Sequence, residues 1–450
     1  MQIIADLHIH SKYSRAVSQK MDLYEIASWA AKKGIGLVTT ADWTHPLWMR
    51  EIKTKLKEVA LGVYELKDPP INQRLPVRFI LTTEIASIYN QGGKLRRIHN
   101  LVFSPSIETA ERINDQLKKK GVNLMADGRP ITGISSKDLL SMLLEINPAI
   151  LFVPCHAWTP WFSLYGSKSG FDSIKECFNG LDNEIYAIET GLSSDPIMNW
   201  QIKELKNRSI ISSSDAHSGP KLGREATVFV PTTQQYNNAT FNFTYQDIIK
   251  AIKQSPNSKL KIGYTIEFFP EEGKYHWSGH RACGIRYSAK ETKEKGIICP
   301  VCQKPLTIGV ENRVLDLSEQ IIEKEELHFL PNRAGVTFVY DKEKVRKPFV
   351  SIVPLMETLI EVTGSPVKAA AEYEKLTTSL GTEFEILLKK SLEEIEKTGG
   401  QKLRQAIEII RKRKVFVDPG YDGVFGKVKI FDGRKENEEK QLSADQPSLF

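Results

Sequence analysis

The sequence predicts an α/β protein built from βα units around a parallel sheet or barrel. From residue 1 to about 232, short apolar runs of strand length alternate with stretches whose apolar residues recur at helical spacing, which is typical of βα units. A potential metal ligand stands at the end of most apolar runs, and the carboxyl ends of barrel strands converge on one face. We therefore expect a first domain with a metal site at one end of its sheet.

The predicted strands and helices follow one another along this first region. Strands are expected at residues 2–10, 36–42, 77–84, 98–103, 149–156, 184–189 and 209–215, with an eighth apolar run at 226–230. Helical periodicity marks residues 22–33, 51–59, 108–119, 137–146 and 197–208. The eighth run could either close the sheet or lead out of it.

Composition narrows the class of protein. With 41% hydrophobic and 26% charged residues among 450, the chain has the composition of a soluble globular protein. No apolar run approaches the roughly 20 residues of a membrane span, and polar residues stand where a signal peptide would be apolar. We therefore expect a cytoplasmic protein without a membrane partner. The net charge of +7 permits nucleic-acid binding without requiring it.

The opening segment supplies the first candidate metal ligands. Asp6, His8 and His10 alternate along a predicted strand, so their side chains share one face. Imidazole and carboxylate groups bind zinc, manganese and similar divalent ions. Further candidates stand in or near the later strands, at Asp42, Glu84, His99, His156, Glu189, Asp215 and His217. Any one of them could be a helix cap or a surface charge. Together these side chains are more ligands than one metal ion needs, so we expect two or three metal ions.

Such a centre is suited to phosphoester hydrolysis. Two ions about 3.5–4 Å apart can activate a bridging water and stabilise the phosphate and leaving-group oxygens, so no Ser or Cys nucleophile is required. Glu84 is the best candidate for a bridging carboxylate. We expect His8, His10 and Asp215 to complete the catalytic group with it.

The same residues resemble the metal-binding motifs of the PHP (polymerase and histidinol phosphatase) family. The resemblance covers roughly residues 1–232 and rests on Asp6-Leu-His-Ile-His10, Glu84, His99, His156 and Ser214-Asp-Ala-His217. It implies a distorted seven-stranded βα barrel with up to three divalent ions, such as zinc, manganese or magnesium. The second motif of the family usually reads Thr-Asp-His, whereas here it reads Thr40-Ala-Asp-Trp-Thr-His45. Either Asp42 or His45 could supply that ligand.

Tryptophans are concentrated beside the candidate ligands. Trp43 and Trp48 flank His45, and Trp158 and Trp161 follow His156. Flat side chains next to a phosphodiester-cutting site could stack on an unpaired or flipped-out base. Packing at the top of the barrel is the alternative interpretation.

A second metal site is predicted after residue 262. Two pairs of ligands at i, i+3 spacing are typical of a closed structural zinc site, and they are His280 with Cys283 and Cys299 with Cys302. His276 is also nearby, but the pairing favours His280. We expect the remaining cysteines, Cys155 and Cys177, to be buried as small apolar residues. A nucleophilic role of Cys155, next to His156, is the alternative, but nothing in the sequence supports it.

The C-terminal third gives fewer signals. Residues 313–433 combine strand and helix patterns, mainly helical, and include four consecutive basic residues at 411–414 that could contact phosphate. Residues 434–450 have the composition of a flexible tail. The tail ends in Gln446-Pro-Ser-Leu449-Phe450, which resembles the Gln-x-x-Leu-Phe peptide that binds the bacterial sliding clamp. The resemblance implies that Gln446, Leu449 and Phe450 contact a clamp.

The order of these modules resembles the endonuclease Q family. The modules are a PHP barrel (1–262), a zinc module (263–312), a DNA-binding region (313–433) and the tail (434–450), and the resemblance includes Asp42-Trp-Thr-His-Pro46 and Gly279-His-Arg-Ala-Cys283. It implies a nucleoid-associated, metal-dependent endodeoxyribonuclease that cuts DNA 5′ to deaminated bases (uracil, hypoxanthine, xanthine) or abasic sites. Two alternatives remain: a small-molecule phosphatase of the histidinol phosphate type, and a non-catalytic, clamp-tethered DNA-binding protein. The zinc module and the tail disfavour the first, and the nearly complete ligand set disfavours the second.

Overall fold

The structure is a computed structural model, and it describes residues 2–70, 76–233 and 242–431. The predicted clamp-binding residues Gln446, Leu449 and Phe450 lie outside the described residues. Within the described ranges the chain is a mixed α/β fold with a large central sheet and many helices. No helix in these ranges is long and apolar enough to cross a membrane.

The strands are numbered in chain order. They are β1 Ile3–Asp6, β2 Leu37–Thr39, β3 Leu56–Ala60, β4 Val63–Leu66, β5 Arg78–Gln91, β6 Lys94–Ser104, β7 Ile131–Thr132, β8 Leu151–Pro154, β9 Ala187–Glu189, β10 Ser209–Ile211, β11 Ala226–Pro231, β12 Leu260–Glu267, β13 Ser278–His280, β14 Ile285–Tyr287, β15 Leu327–Pro331, β16 Thr337–Asp341, β17 Phe349–Ser351, β18 Phe416–Asp418 and β19 Lys427–Lys429.

The helices are numbered in the same way. They are α1 Leu23–Lys33, α2 Pro46–Lys55, α3 Ile107–Lys119, α4 Ser136–Ile146, α5 Ile174–Phe178, α6 Pro196–Trp200, α7 Tyr245–Ile252, α8 Ala289–Lys295, α9 Val310–Leu317, α10 Leu355–Thr363, α11 Pro366–Ser379, α12 Glu383–Leu388 and α13 Leu392–Arg411. Within α13 the backbone of Gly400 is not helical, with φ of 82°, so a kink divides the helix.

The predicted parallel arrangement is present at the centre of the sheet. Strand β1 pairs in parallel with β2, and β2 pairs in parallel with β5. A further parallel pair, β9 with β10, forms its own small sheet. Strand β11 pairs antiparallel with both β1 and β12, so the eighth apolar run leads the main sheet outward into β12.

The prediction that Glu84 ends a strand is wrong. Strand β5 continues to Gln91 and returns as β6, which is antiparallel to it. Gly92 and Gly93 form the connection, both with positive φ (61° and 72°), as a two-residue type I′ hairpin turn requires. The turn places Glu84 in the middle of a long hairpin, where His99 of β6 pairs with Ala86.

Two predicted helices have different bounds. The helix expected at residues 51–59 begins earlier, at Pro46, because proline fixes φ at the first helical position, and it ends at Lys55. Residues 56–60 instead form β3, which pairs with β4. The helix expected at 197–208 is divided into α6 and a short 3₁₀ turn at Lys203–Leu205.

The C-terminal region is joined to the central sheet. Strand β17 pairs in parallel with β12, and a buried ion pair between Lys33 and Glu383, 2.7 Å apart, links α1 to α12. The two arginines of the basic run are used inside the fold: Arg411 is buried and donates hydrogen bonds to main-chain carbonyls, including that of Leu387. Arg413 donates to the Ser351 hydroxyl. These arginines stabilise the packing of the helical region.

Candidate metal centre

Four groups of side chains, any of which could hold a metal ion, lie together at one end of the sheet. In each group the ligand atoms are within 4.8 Å of one another, and the groups are His8, His10 and Glu84; Glu84, His99 and His156; His10, Asp215 and His217; and His8, Cys155 and Glu189. Glu84, His8 and His10 each belong to two groups. Residues from distant parts of the sequence therefore form one continuous cluster.

Backbone pairing brings the first and last of these segments together. Beyond β1, Ile9 forms a parallel bridge with Ala216, and the His10 amide donates to the Ala216 carbonyl at 3.0 Å. Asp6 is not part of the cluster, because its carboxylate accepts hydrogen bonds from the Ser214 amide and hydroxyl. Asp6 thus fixes the segment that carries Asp215 and His217.

The carboxylate of Glu84 has the geometry expected of a bridge. Its Oε2 atom lies 3.2 Å from His10 Nε2 and 3.8 Å from His8 Nε2. Its Oε1 atom lies 3.0 Å from His156 Nε2 and is also in contact with His99 Nδ1. Each oxygen therefore faces a different pair of histidines.

The residues present fit a divalent metal. His8 Nε2, His10 Nε2 and Asp215 Oδ1 are buried and make no hydrogen bond within the described chain, although His10 Nε2 and Asp215 Oδ1 are only 3.1 Å apart. Buried polar atoms are normally hydrogen-bonded. Unpaired imidazole nitrogens and a carboxylate oxygen that face one another are the donor set of a zinc or manganese site.

Two further carboxylates orient the central histidines. Both oxygens of Glu189 lie within hydrogen-bonding distance of His8 Nδ1, at 3.0 and 3.1 Å. Asp42 Oδ1 lies 3.1 Å from His10 Nδ1. In each case the other ring nitrogen, Nε2, points into the cluster. Carboxylate-to-histidine contacts of this kind fix the tautomer and ring direction of metal-binding histidines.

Burial and the charges of neighbouring side chains shift the pKa values of residues in the cluster. Burial opposes ionisation of Glu84, yet the charges of His99 and Arg129 hold its pKa well below the usual range. Burial likewise opposes protonation of His8, but Glu189 raises its pKa well above the ordinary value. Burial lowers the pKa of His99 to about 4. The Glu84 carboxylate is therefore ionised at neutral pH, as metal binding requires.

Unusual backbone conformations concentrate at this site. Asp42, His156 and Asp215 have positive φ angles of 40°, 32° and 47°, although none is a glycine. Such conformations cost of order 1–3 kcal/mol each and tend to occur at functional sites. The surrounding fold holds these residues where the cluster needs them.

The structure changes the roles of three predicted ligands. Asp42 and His45 belong to none of the candidate metal groups in the described chain. Asp42 contacts His10 instead, and the His45 ring stacks on Tyr13 with centroids 4.4 Å apart. Glu189 does belong to a group, with His8 and Cys155. Its oxygens already accept from His8 and from the His156 amide, which favours an orienting role.

Sequence reasoning missed one residue at the site, Arg129, and assigned another, Cys155, to the core. Cys155 is buried, as expected, but its sulfur lies 3.6 Å from Glu84 Oε1 and beside His8 and Glu189. The Arg129 Nη1 atom donates to Glu84 Oε2 at 3.2 Å. Arg129 lies in a loop far from every predicted ligand in sequence, and no spacing rule connects them. Cys155 adjoins His156, which was the only available signal.

The prediction for the tryptophans needs correction. Trp43, Trp48 and Trp158 are fully buried, and the indole nitrogens of Trp48 and Trp158 donate to the Thr40 carbonyl and to Asn199. These three side chains are therefore core residues and do not present a face to a base. Trp161 alone of the four is partly exposed, with its ring edge on Tyr275.

The second predicted metal site is assembled away from the cluster. The ligand atoms of His280, Cys283, Cys299 and Cys302 all lie within 4.8 Å of one another, and Cys302 Sγ is 3.4 Å from His280 Nδ1. His276 is buried but is not in this group. One imidazole nitrogen and three sulfur atoms in this arrangement suit a tetrahedral zinc ion.

Comparison with solved structures extends the likeness beyond the site. The crystal structure of the lesion-specific endonuclease PfuEndoQ from Pyrococcus furiosus matches with a TM-score of 0.77 and 27% identity, covering 100% of both chains. A structure of endonuclease Q in complex with a 27-mer duplex substrate, with an abasic lesion at the active site, matches with a TM-score of 0.78 and 29% identity, covering 96% of this chain and 97% of that one. The chain is similar to endonuclease Q over its full length. The endonuclease Q structures share its mixed α/β fold and large central sheet.

Sequence comparison adds two relatives. Uncharacterized protein YqxK of Bacillus subtilis is 28% identical over 443 residues, which are 95% of this chain and 99% of that protein. Uncharacterized protein MJ0043 of Methanocaldococcus jannaschii is 30% identical over 295 residues, or 64% of this chain. The match covers 33% of MJ0043, so this chain spans about a third of that relative. No model of a known protein family matches the sequence.

Proposed function

We propose that the protein is a DNA repair endonuclease that hydrolyses the phosphodiester 5′ to a damaged nucleotide. The observation that carries this proposal is the full-length similarity to an endonuclease Q whose active site holds an abasic lesion in duplex DNA. The cluster of Glu84 and its surrounding histidines supports it, because such a donor set suits a hydrolytic metal centre. Deaminated bases (uracil, hypoxanthine, xanthine) and abasic sites are the proposed lesions.

The proposed centre holds two or three divalent ions. His8, His10 and Glu84 would hold one, Glu84 with His99 and His156 a second, and His10 with Asp215 and His217 a third. When bound, the ions would activate water and stabilise the phosphate and leaving-group oxygens. The protein itself supplies orientation, since Glu189 and Asp42 orient His8 and His10, which supply ligand atoms to the first and third of these groups.

The remaining modules have proposed roles in the same reaction. The first 262 residues would form the distorted seven-stranded PHP barrel, and one structural zinc would stabilise residues 263–312 through His280 and three cysteines. Residues 313–433 would contribute to DNA binding. The terminal Gln446, Leu449 and Phe450 would bind a sliding clamp, which would keep the enzyme on replicating DNA.

Cleavage mapping tests the proposal. The purified protein is incubated with a divalent metal and end-labelled duplexes that carry one uracil, one hypoxanthine, one abasic site or no lesion. We expect a single nick, 5′ to the lesion, in the damaged strand only. Equal cutting of the undamaged duplex would contradict the lesion specificity, and release of phosphate from small monoesters alone would favour the phosphatase alternative.

Removal of residues 446–450 tests the clamp separately. The truncated protein should lose affinity for a bacterial sliding clamp in surface plasmon resonance and should nick lesion DNA at an unchanged intrinsic rate. Equal clamp affinity of the full-length and truncated proteins would refute the proposed role of the peptide.

A further inference from the structure

Arg129 is a fixed cation in an otherwise acidic cluster. Its Nη1 atom lies 3.2 Å from the buried Oε2 of Glu84, while a quarter of its side chain is exposed. Glu84, Asp42 and Glu189 are buried around the same histidines, and DNA is itself a polyanion. A guanidinium at the open side of such a cluster can attract a phosphate and is chemically suited to bind one.

The main chain around Arg129 is firmly held. Asp127 accepts a hydrogen bond from the Arg129 amide at 3.1 Å, and the Pro130 carbonyl accepts one from Ala86 of β5 at 2.9 Å. Gly128 lies so close to the cluster that an added Cβ would be 2.6 Å from Asp42 Oδ2. The loop therefore fixes the Arg129 backbone against Asp42, which orients His10, and a larger residue at Gly128 would displace the loop.

The guanidinium keeps hydrogen-bonding capacity for a ligand. Among the described residues, Glu84 is the hydrogen-bond acceptor of the Arg129 side chain. An arginine side chain has five N–H donors, so further donors remain for a ligand. Arg129 can therefore donate to a phosphate oxygen while it stays paired with Glu84.

We propose that Arg129 is a catalytic residue that donates hydrogen bonds to a non-bridging oxygen of the scissile phosphate. The inference rests on the proposed phosphodiesterase function and adds a contact from the protein that the metal ligands do not provide. A preorganised donor aimed at the phosphate stabilises the charge that develops in the transition state. The simpler alternative is that Arg129 only balances the charge of Glu84.

Three variants separate these roles. Arg129→Gln removes the charge, and Arg129→Lys keeps the charge but loses the planar fork that pairs with phosphate oxygens. Arg15→Gln is the matched control, because Arg15 pairs with Asp127 of the same loop at 3.5 Å but its side chain is 75% exposed. All three are compared as full chains loaded with manganese, with metal content and thermal midpoint measured first.

The first readout is the affinity for inorganic phosphate, measured by isothermal titration calorimetry without DNA. We expect Arg129→Gln to bind phosphate ~10-fold more weakly or worse, as loss of a charge-assisted hydrogen bond implies, and Arg129→Lys to be intermediate. The second readout is single-turnover cleavage of an abasic duplex. Here Arg129→Gln should be ~100-fold to 1000-fold slower, with little change in DNA affinity, and Arg15→Gln should match the wild type.

Two results would overturn the inference. One is wild-type phosphate affinity and cleavage rate in an Arg129→Gln protein with full metal content. The other is loss of barrel metal in Arg129→Gln with complete recovery of metal, phosphate affinity and rate in Arg129→Lys, which would show charge balance alone. If the wild type binds phosphate through Arg129 but leaves lesion DNA intact, the phosphate contact stands and the proposed function fails.

Discussion

The orienting role of Glu189 leads to a quantitative prediction for Glu189→Gln. Glu189 is fully buried, and its oxygens face His8 Nδ1 at 3.0 and 3.1 Å while Oε2 also accepts from the His156 amide at 3.0 Å. Glutamine keeps the shape but replaces one acceptor oxygen with a donor, so one of these contacts is lost. Loss of such a contact typically weakens metal binding 10-fold to 100-fold, or about 1.4–2.8 kcal/mol.

The assay is a competition titration of manganese against a chelator, read by metal analysis of the dialysed protein. Glu204→Gln is the matched control, because Glu204 accepts from Tyr165 at 2.8 Å and from the Ile174 amide at 3.0 Å and is in none of the candidate metal groups. Unchanged manganese affinity in Glu189→Gln would refute the orienting role. Loss of one whole equivalent of metal would show instead that Glu189 is a ligand, as the sequence first indicated.

Three further predictions concern the rest of the molecule. Cys299→Ser should remove one equivalent of zinc and leave metal bound at the Glu84 cluster in place, and metal analysis that still finds this zinc would contradict the assignment. Burial raises the pKa of Glu267 to about 7 from 4.5, so the folded protein binds the extra proton and stability falls as pH rises between these values. The thermal midpoint of Glu267→Gln should therefore decline less than that of the wild type from pH 5 to 8, and equal declines would contradict the raised pKa. Trp158→Ala should lower the free energy of unfolding in urea by ~3–5 kcal/mol, whereas Trp161→Ala should mainly weaken binding of a labelled abasic duplex. A larger loss of stability in Trp161→Ala, with weaker DNA binding in Trp158→Ala, would show that the roles of these two tryptophans are misassigned.

Sequence reasoning was most successful where ligand chemistry and strand pattern agree. The alternation of His8 and His10 and the spacing of His280, Cys283, Cys299 and Cys302 depend only on local geometry, and the structure brings both sets together. The parallel pairing of β1, β2 and β5 was also predictable from apolar runs. The two histidines are two residues apart, as the alternation of a strand requires, and each pair of zinc ligands is three residues apart, so both patterns can be seen in the sequence itself.

The errors arise where tertiary contacts decide. Gly92 and Gly93 were an available hairpin signal, and overlooking them left Glu84 at the end of a strand instead of the middle. Tryptophans beside ligands could be either core or surface, and burial of Trp43 and Trp158 is decided by helices and loops distant in sequence. Arg129 reaches Glu84 across 45 positions, and no local pattern predicts that contact.

Single-turnover nicking of a duplex with one abasic site, by the wild type and by Asp215→Asn, tests the central claim most directly. Asp215 Oδ1 is buried, makes no hydrogen bond to any described residue and lies 3.1 Å from His10 Nε2. Replacing its carboxylate should therefore remove a ligand without altering the group of His280 and its three cysteines. We predict a nick 5′ to the lesion with the wild type and no measurable nick with Asp215→Asn. Equal nicking by both proteins would show that this cluster is not the centre that cuts DNA.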